Sequence, residues 1–250
     1  MIKHCLRLLL VAVTFMACAG MAHQHGSKKS GKPSCETAKV SCAKTVTSAF
    51  SSKGDLWRLW SFKNSLYVEV SSDGGDIFSP PVRLDIPEEK ISSRNENRPK
   101  IAFDGYDGVY LSWATPREKK YTADVRFSYS ADYGKSFSTP VTVNDDNLLT
   151  GHSFNELYVS SGGDISIVWL DARHSYALRK QGKESNGSAL YMATANFRDN
   201  QATFVNQELA NGTCVCCRIA MDVNKNGNLA ILWRHIYGDN IREFALLTLN

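Results

Sequence analysis

Four segments of the chain share one pattern of alternating apolar and polar positions that ends in a tryptophan. Each begins at a turn rich in Gly, Asp or Asn and reaches Trp60, Trp113, Trp169 or Trp233, and another strand-like run precedes each turn. A two-residue period is typical of a half-buried strand, and a tight turn between two such runs indicates a β-hairpin. The sequence therefore predicts four similar hairpins. We expect their tryptophans in the core rather than on a sugar-stacking surface.

A second repeated pattern follows these hairpins. Residues 71–78 and 130–137 read Ser-x-Asp-x-Gly-x-x-Phe, and looser copies start at Thr194 and Thr248. An Asp side chain accepts hydrogen bonds from backbone N–H groups a few residues on, and Gly provides the positive φ that such a turn often needs. The four starts are separated by 59, 64 and 54 residues. Periods in this range with four strands per unit predict a β-propeller.

The Ser-x-Asp-x-Gly-x-x-Phe segments resemble the Asp box of the sialidase-like (BNR repeat) β-propellers, from about Thr45 to the end of the sequence. The resemblance implies an all-β fold of four-stranded blades, six of them in the family. This sequence supplies three units and three strands of a fourth. We therefore expect an incomplete set of about four blades, in a propeller domain (residues 45–250) that is truncated at its C-terminus; a genuine smaller propeller is the alternative.

The first 22 residues have the pattern of a secretory signal peptide. Lys3 and Arg7 begin it, an apolar run over residues 8–19 follows, and small residues lead to Ala22. This run is too short to span a bilayer. A lipoprotein cleavage box with Cys18 acylated is the alternative. We expect an exported protein, periplasmic or secreted and membrane-bound only through a lipidated Cys18, with residues 23–44 as a flexible leader.

Composition and charge exclude several classes of protein. The 250 residues are 43% hydrophobic and 22% charged, which is unlike a disordered chain, a collagen or a bundle of membrane helices. The net charge is +4, and removal of Lys3 and Arg7 with the signal leaves +2. We expect no nucleic-acid partner.

The strand order of a propeller predicts which face carries the chemistry. The hairpin turns and the Asp turns share one face, and the opposite face gathers the beginnings of the first strands and the loops after the second strands. The candidate site residues predicted on that opposite face are seven charged residues and one tyrosine: Glu96, Arg98, Glu156, Asp171, Arg173, Tyr176, Arg218 and Arg234. Arginines grouped with carboxylates suit an anionic ligand, because a guanidinium pairs with a carboxylate through two hydrogen bonds. The simpler alternative is that these are solvated rim residues or ion pairs between blades.

The resemblance also implies roles for these residues. In sialidases an arginine triad holds the sialic acid carboxylate, a Tyr activated by a Glu is the nucleophile, and an Asp is the acid/base. The corresponding candidates are Arg98, Arg173 and Arg234 for the triad, Tyr176 as nucleophile with Glu156 as activator, Asp171 or Glu96 as acid/base, and Arg218 as a further substrate-binding residue. The sequence departs from the family in lacking an Arg-Ile-Pro motif near the first blade, and Asn97-Arg98-Pro99 is the nearest substitute.

The implied function is the binding of a terminal sialic acid or a related anionic glycan, with exo-α-sialidase activity as the enzyme hypothesis. A propeller that binds a glycan or a protein without catalysis is one alternative.

Five cysteines follow the signal: Cys35, Cys42, Cys214, Cys216 and Cys217. Disulfides are the default in an exported protein, and Cys35 and Cys42 either close a short loop or tie the leader to the later cysteines. The other hypothesis is a copper or zinc site formed by Cys214, Cys216 and Cys217 with His23 and His25. A periplasmic metal-binding protein is thus a further alternative, and the resemblance itself implies no cofactor.

Overall fold

Residues 35–196 and 202–249 are described by the computed structural model, and fifteen strands make up most of their regular structure. The strands are β1 (Val46–Phe50), β2 (Leu56–Phe62), β3 (Ser65–Ser71), β4 (Val82–Arg83), β5 (Lys100–Phe103), β6 (Val109–Pro116), β7 (Ala123–Ser130), β8 (Val141–Thr142), β9 (His152–Val159), β10 (Asp164–Asp171), β11 (Ser188–Asn196), β12 (Val205–Thr213), β13 (Ala220–Val223), β14 (Leu229–Tyr237) and β15 (Ile241–Leu249). A 3-10 turn (Val40–Cys42) and one helix, α1 (Arg173–Lys180), accompany them. The predicted signal peptide, residues 23–34 of the leader and parts of the two looser Asp-turn copies lie outside the described residues.

The strands follow one another as antiparallel meanders. The first three sheets are β1–β4, β5–β8 and β9–β12, and β13–β15 begin a fourth sheet that joins the third through the single pair Thr213–His235. The first strands of successive sheets, β1, β5, β9 and β13, are neighbours of one another. This is the predicted all-β propeller of four-stranded blades.

The core lies between neighbouring blades, and β10 shows why. Its side chains alternate between two packing surfaces: Ile165, Ile167 and Trp169 pack against the second blade. Val168 and Leu170 pack against the fourth. Since successive strand residues point to opposite faces, an apolar strand such as this one is buried on both sides.

The four repeated tryptophans are all core residues, as predicted. Trp60, Trp113 and Trp169 are 0% exposed and Trp233 is 7% exposed. Each indole N–H donates to one side-chain acceptor, and these acceptors are Glu69, Glu89, Asp171 and His235 in chain order. A buried indole keeps its polar atom satisfied in this way, and none of the four is free to stack on a sugar.

The Asp turns have the hydrogen bonds expected from their sequence. In the first, Ser71 Oγ accepts from the Gly75 N–H (2.8 Å) and the Asp73 carboxylate accepts from the Ile77 N–H (3.0 Å). The Ile77 N–H and the Ser71 hydroxyl hold the pKa of Asp73 below its usual value. The second copy, built on Ser130 and Asp132, repeats the arrangement.

These turns share a face with the hairpin turns. The Tyr133 N–H in the second Asp turn donates to the Asp107 carbonyl (3.0 Å), and its hydroxyl lies 2.8 Å from Ser51 Oγ. Gly105 and Ser161 join the next two hairpin turns by a backbone hydrogen bond of 3.0 Å. The candidate site therefore has to be sought at the other ends of the strands.

The helix α1 was not predicted. It lies in the loop between β10 and β11, where Asp171 Oδ1 accepts from the Arg173 N–H (2.8 Å) at the first turn. Arg179 and Lys180 occupy the last turn, where positive charge is favourable. A helix this short gives only a weak periodic signal, which explains why the sequence did not reveal it.

Cys35 and Cys42 form a disulfide with a Cα–Cα distance of 5.7 Å. Of the two predicted alternatives, these cysteines therefore close a short loop and do not tie the leader to the later cysteines. Within the described ranges, the only helix is too short and too polar to cross a membrane.

Candidate functional site

Five charged side chains meet beside the inner strands: three lie at or just before the start of β5, one lies in the middle of β9 and one lies just before β13. They are Glu96, Arg98, Lys100, Glu156 and Arg218, hereafter the central cluster. Four of them were predicted to converge, and the structure brings these four together. Lys100 was missed, although its position two residues after Arg98 puts both side chains on the same side of the strand.

The ion pairs of the central cluster differ in tightness. Lys100 Nζ lies 2.5 Å from Glu156 Oε1, and both side chains are largely buried. Glu96 Oε2 is more loosely placed, 3.9 Å from Arg98 Nη2 and 3.4 Å from Arg218 Nε. Arg98 Nη1 also donates to the Val46 carbonyl on β1 (3.3 Å), so the cluster reaches the first blade.

Two atoms of the cluster are buried without a hydrogen-bond partner among the described residues, Arg98 Nε and Glu96 Oε2. A buried donor without an acceptor costs about 1–3 kcal/mol. Arg98 Nε therefore has an unused capacity to donate, and an anionic ligand or a water would satisfy it.

The pKa of Glu156 is raised, because burial disfavours its charged form; Lys100, Arg218 and Arg98 oppose this effect. With Glu156 ionised the cluster holds three cations and two carboxylates. Protonation of Glu156 adds a second net positive charge and releases Lys100 from its partner. The cluster is thus positive in either state.

The local backbone holds this arrangement. Glu96 lies in a tight turn that Arg94 and Asn97 close with mutual backbone hydrogen bonds of 3.1 and 2.9 Å. The Asn97 side chain accepts from the Phe154 N–H (3.0 Å), at a β-bulge in β9 where Phe154 has φ +58. A left-handed backbone at a residue other than glycine costs about 1–3 kcal/mol and is found preferentially at functional sites. The bulge comes just before Glu156.

Asp171 and Arg173 lie in a different arrangement, a buried network at the end of β10. Asp171 is 0% exposed and accepts from the Trp169 indole (2.9 Å) and from Arg173 Nη2 (2.9 Å). Arg173 also pairs with Asp145 Oδ1 (2.9 Å) and stacks on the Tyr191 ring at 4.0 Å. These contacts occupy the Asp171 carboxylate and both terminal nitrogens of Arg173, whereas Arg173 Nε is buried 3.4 Å from Asp146 Oδ2 without a hydrogen bond in the described part of the chain.

His152 completes this network. Its Nδ1 lies 2.7 Å from the Ala123 carbonyl and its Nε2 3.0 Å from Asp146 Oδ2. Burial opposes its charged form, but the hydrogen bond that it donates to Asp146 and the charges of Asp171 and Asp146 raise the pKa of His152. The acidic partners, Asp145 and Asp146, come from the preceding loop, and no local sequence pattern connects them with Asp171.

Tyr176 and Arg234 do not join the central cluster. Tyr176 is half-buried on α1 under Lys180, and within residues 35–196 and 202–249 no hydrogen bond or ion pair links it to Glu156 or Glu96. Arg234 is exposed on β14, where its Nε lies 3.4 Å from the Arg242 carbonyl. The structure therefore does not assemble the tyrosine–glutamate pair or the full arginine triad that the resemblance implies.

The three later cysteines form a cluster of free thiols between β12 and β13. Cys214 Sγ is 2.7 Å from Cys217 Sγ and 3.7 Å from Cys216 Sγ. Burial opposes ionisation of Cys214, but hydrogen bonds from Cys217 and the Cys216 backbone leave its pKa lowered. Burial and the Cys214 sulfur raise the pKa of Cys217 to about 11. His23 and His25 lie outside the described residues.

Two shallow cavities of about 370 and 350 Å³ lie beside α1 and beside the turn between β2 and β3. No residue of the central cluster lines either of them.

No protein-family model matches the chain, and no curated protein sequence matches it. Solved structures do share its fold. The NanB sialidase from Streptococcus pneumoniae matches with a TM-score of 0.50 and 12% identity over 78% of this chain and 29% of its own. The α-L-arabinofuranosidase Arb93A from Fusarium graminearum matches with a TM-score of 0.55 and 14% identity over 83% and 62%.

An ulvan lyase of family PL25 is a third similar structure, with a TM-score of 0.52 and 11% identity over 82% of this chain and 52% of its own. At these identities the likeness is one of fold. The chain spans between 29% and 62% of the length of these proteins.

Proposed function

We propose that this chain is an exported β-propeller that binds an acidic glycan, a terminal sialic acid or a related anionic sugar, through the central cluster. Arg98 and Arg218 supply guanidinium groups for the acidic substituent, and Lys100 supplies a third cation when Glu156 is protonated. Glu96 and Glu156 hold these cations in place before the ligand arrives. The observation that carries the proposal is the buried, unpartnered Arg98 Nε within a cluster that has a net positive charge.

The similar structures support a glycan as the ligand class. They include a sialidase, an arabinofuranosidase with a bound iminosugar inhibitor, and an ulvan lyase bound to an oligosaccharide of GlcA and Rha3S units. Since the fold does not determine function, the acidic character of the ligand rests on the charges of the central cluster. Sialic acid is the particular ligand suggested by the Asp-turn resemblance.

Binding without turnover fits the described residues better than glycoside hydrolysis. A retaining sialidase needs a tyrosine activated by a carboxylate and an accessible acid. Among residues 35–196 and 202–249, Tyr176 lacks such a partner, and Asp171 is buried in its own network. A fluorogenic sialoside incubated with the full chain tests the enzyme hypothesis, and turnover that Tyr176→Phe abolishes would restore it.

Export is part of the proposal. The basic, apolar and small-residue order of residues 1–22 supports it, and so does the Cys35–Cys42 disulfide, since disulfides persist mainly in oxidising compartments. Mass spectrometry of the protein from the medium and from the periplasm tests it. A new N-terminus at His23 is the expected result, and an uncleaved Met1 would contradict export.

Calorimetric titration of the full chain with 3′-sialyllactose, with lactose as the neutral control, tests the glycan proposal. We expect lactose to bind at least about tenfold more weakly. Arg98→Ala should lose a charge-assisted hydrogen bond worth about 1.5–3 kcal/mol, or roughly 10- to 150-fold in affinity.

Arg83→Ala is the matched control, because Arg83 is an exposed arginine on β4 that pairs with Ser65 and Glu88, away from the central cluster. It should bind like the wild type. Equal loss in both variants, or equal binding of lactose and sialyllactose, would overturn the proposal.

A further inference from the structure

The connection between the third and fourth blades brings three thiols together. Cys214, Cys216 and Cys217 lie in a turn between β12 and β13, and their sulfur atoms all lie within 4.8 Å of one another. The glycan site uses none of them. Within the described residues, these three are the cysteines outside the Cys35–Cys42 disulfide.

The backbone fixes one side of this thiol cluster. The Cys214 N–H donates to the Arg234 carbonyl (2.9 Å), next to the Thr213–His235 pair that joins the third and fourth sheets. Cys214 is 2% exposed, whereas Cys216 is exposed and Cys217 intermediate. The cluster thus has an anchored inner sulfur and an outer sulfur that solvent can reach.

Two arginine side chains lie beside the sulfur atoms. Arg242 Nη1 lies 3.9 Å from Cys214 Sγ, and the Arg234 guanidinium interacts with Cys217. Three thiolates around a monovalent metal ion carry two negative charges, which these two guanidinium groups balance. Around a divalent ion only one negative charge remains.

We propose that Cys214, Cys216 and Cys217 form a three-thiolate site for a soft metal ion, and that monovalent copper fits it best. Thiolates select soft ions such as Cu(I) and Zn(II). Structural zinc takes four ligands, and the described residues offer three here. On binding, three metal–sulfur bonds form, any protonated thiol releases its proton to water, and copper stays monovalent throughout.

The geometry needs one small adjustment. With metal–sulfur distances of about 2.3 Å, the sulfurs around an ion lie about 3.8–4.0 Å apart. The Cys214–Cys216 distance is already 3.7 Å, and Cys217 has to move away from Cys214 by about 1 Å. Cys217 is partly exposed at the end of the turn, so this movement disturbs no core residue.

Titration of the reduced full chain with Cu(I) under argon, in competition with a chromophoric Cu(I) chelator, tests the site. We expect one copper per chain and new sulfur-to-copper charge-transfer absorption. Cys216→Ser should weaken binding at least roughly 100-fold, since even the loss of an outer-shell partner costs 10- to 100-fold. Val215→Ser is the matched control, because Val215 is exposed in the same turn and contributes no sulfur, and it should bind like the wild type.

Cys216→Ser is preferred to Cys214→Ser because the Cys216 side chain is exposed, so that its replacement leaves the core intact. Circular dichroism checks the fold of each variant. A parallel titration with Zn(II) distinguishes the ions, and zinc bound more tightly than copper would contradict the choice of copper. Absence of stoichiometric binding to the reduced chain, or binding unchanged in Cys216→Ser, would overturn the proposal.

Discussion

Replacement of Glu156 by Gln tests whether the negative charge of Glu156 weakens the binding of an anionic ligand to the central cluster. The variant keeps an oxygen acceptor for Lys100 but removes a negative charge. For an anionic group about 6 Å from this carboxylate, with an effective dielectric constant between about 20 and 80, the repulsion removed is about 0.7–2.8 kcal/mol. We therefore expect Glu156→Gln to bind 3′-sialyllactose roughly 3- to 100-fold more tightly at neutral pH.

The wild type should reach the same state by protonation. Because the pKa of Glu156 is raised, its neutral form grows as the pH falls toward that pKa, and wild-type affinity should rise in that direction. A sugar carboxylate stays ionised between about pH 5 and pH 8, so its own titration does not interfere.

Calorimetric titrations of both proteins at several pH values across this range, with melting curves to confirm the fold, measure the effect. The affinity of Glu156→Gln should be nearly independent of pH. A folded variant with unchanged or weaker binding, or with the pH dependence of the wild type, would show that the charge of Glu156 does not limit ligand affinity.

Three further predictions concern other parts of the molecule. His152→Gln should lose about 1–3 kcal/mol of unfolding free energy below about pH 6.5 and less at higher pH. The pKa of His152 is raised in the folded protein, so the stabilisation from the charged imidazole disappears as the pH rises through the folded-state pKa. Urea titrations at pH 5.5 and 8.5 measure this difference, and an equal loss at both pH values would contradict it. Asp132→Asn should lower stability at pH 7 and flatten the decline of stability as the pH falls below about 4. The reason is that the Ser136 and Ser130 hydroxyls hold the pKa of Asp132 below its usual value. An acid unfolding curve unchanged from the wild type would contradict a stabilising role of the Asp132 carboxylate. Tyr176→Phe should leave glycan affinity unchanged within about twofold, and a tenfold loss in titration would put this hydroxyl back in the site.

The fold was largely predictable because its signals are local and repeated. Alternation along β2, β6, β10 and β14 leads to a buried tryptophan each time, and the first two Asp turns use side chains within a few residues of each other. A period of two and an Asx turn both act over short stretches of chain, so they can be recognised in one sequence. The face opposite those turns then followed from strand order alone.

The site was only partly predictable, because its contacts join distant parts of the chain. Strand order correctly groups Glu96 with Arg218. The pairing of Lys100 with Glu156 spans 56 residues and depends on a β-bulge that no local sequence pattern predicts. Arg173 was predicted to bind the ligand, but its guanidinium pairs with Asp145 and Asp171. Sequence order distinguishes the two faces of a propeller, but it does not distinguish an available guanidinium from one that is already paired.

A crystal structure of the full chain with 3′-sialyllactose would show directly whether the central cluster binds the sugar. We expect the sugar carboxylate within about 3 Å of the Arg98 guanidinium, with Nε donating to it and Arg218 turned toward the same group. A sugar bound on the face of the Asp turns, or a central cluster that stays empty while the glycan binds elsewhere, would contradict it.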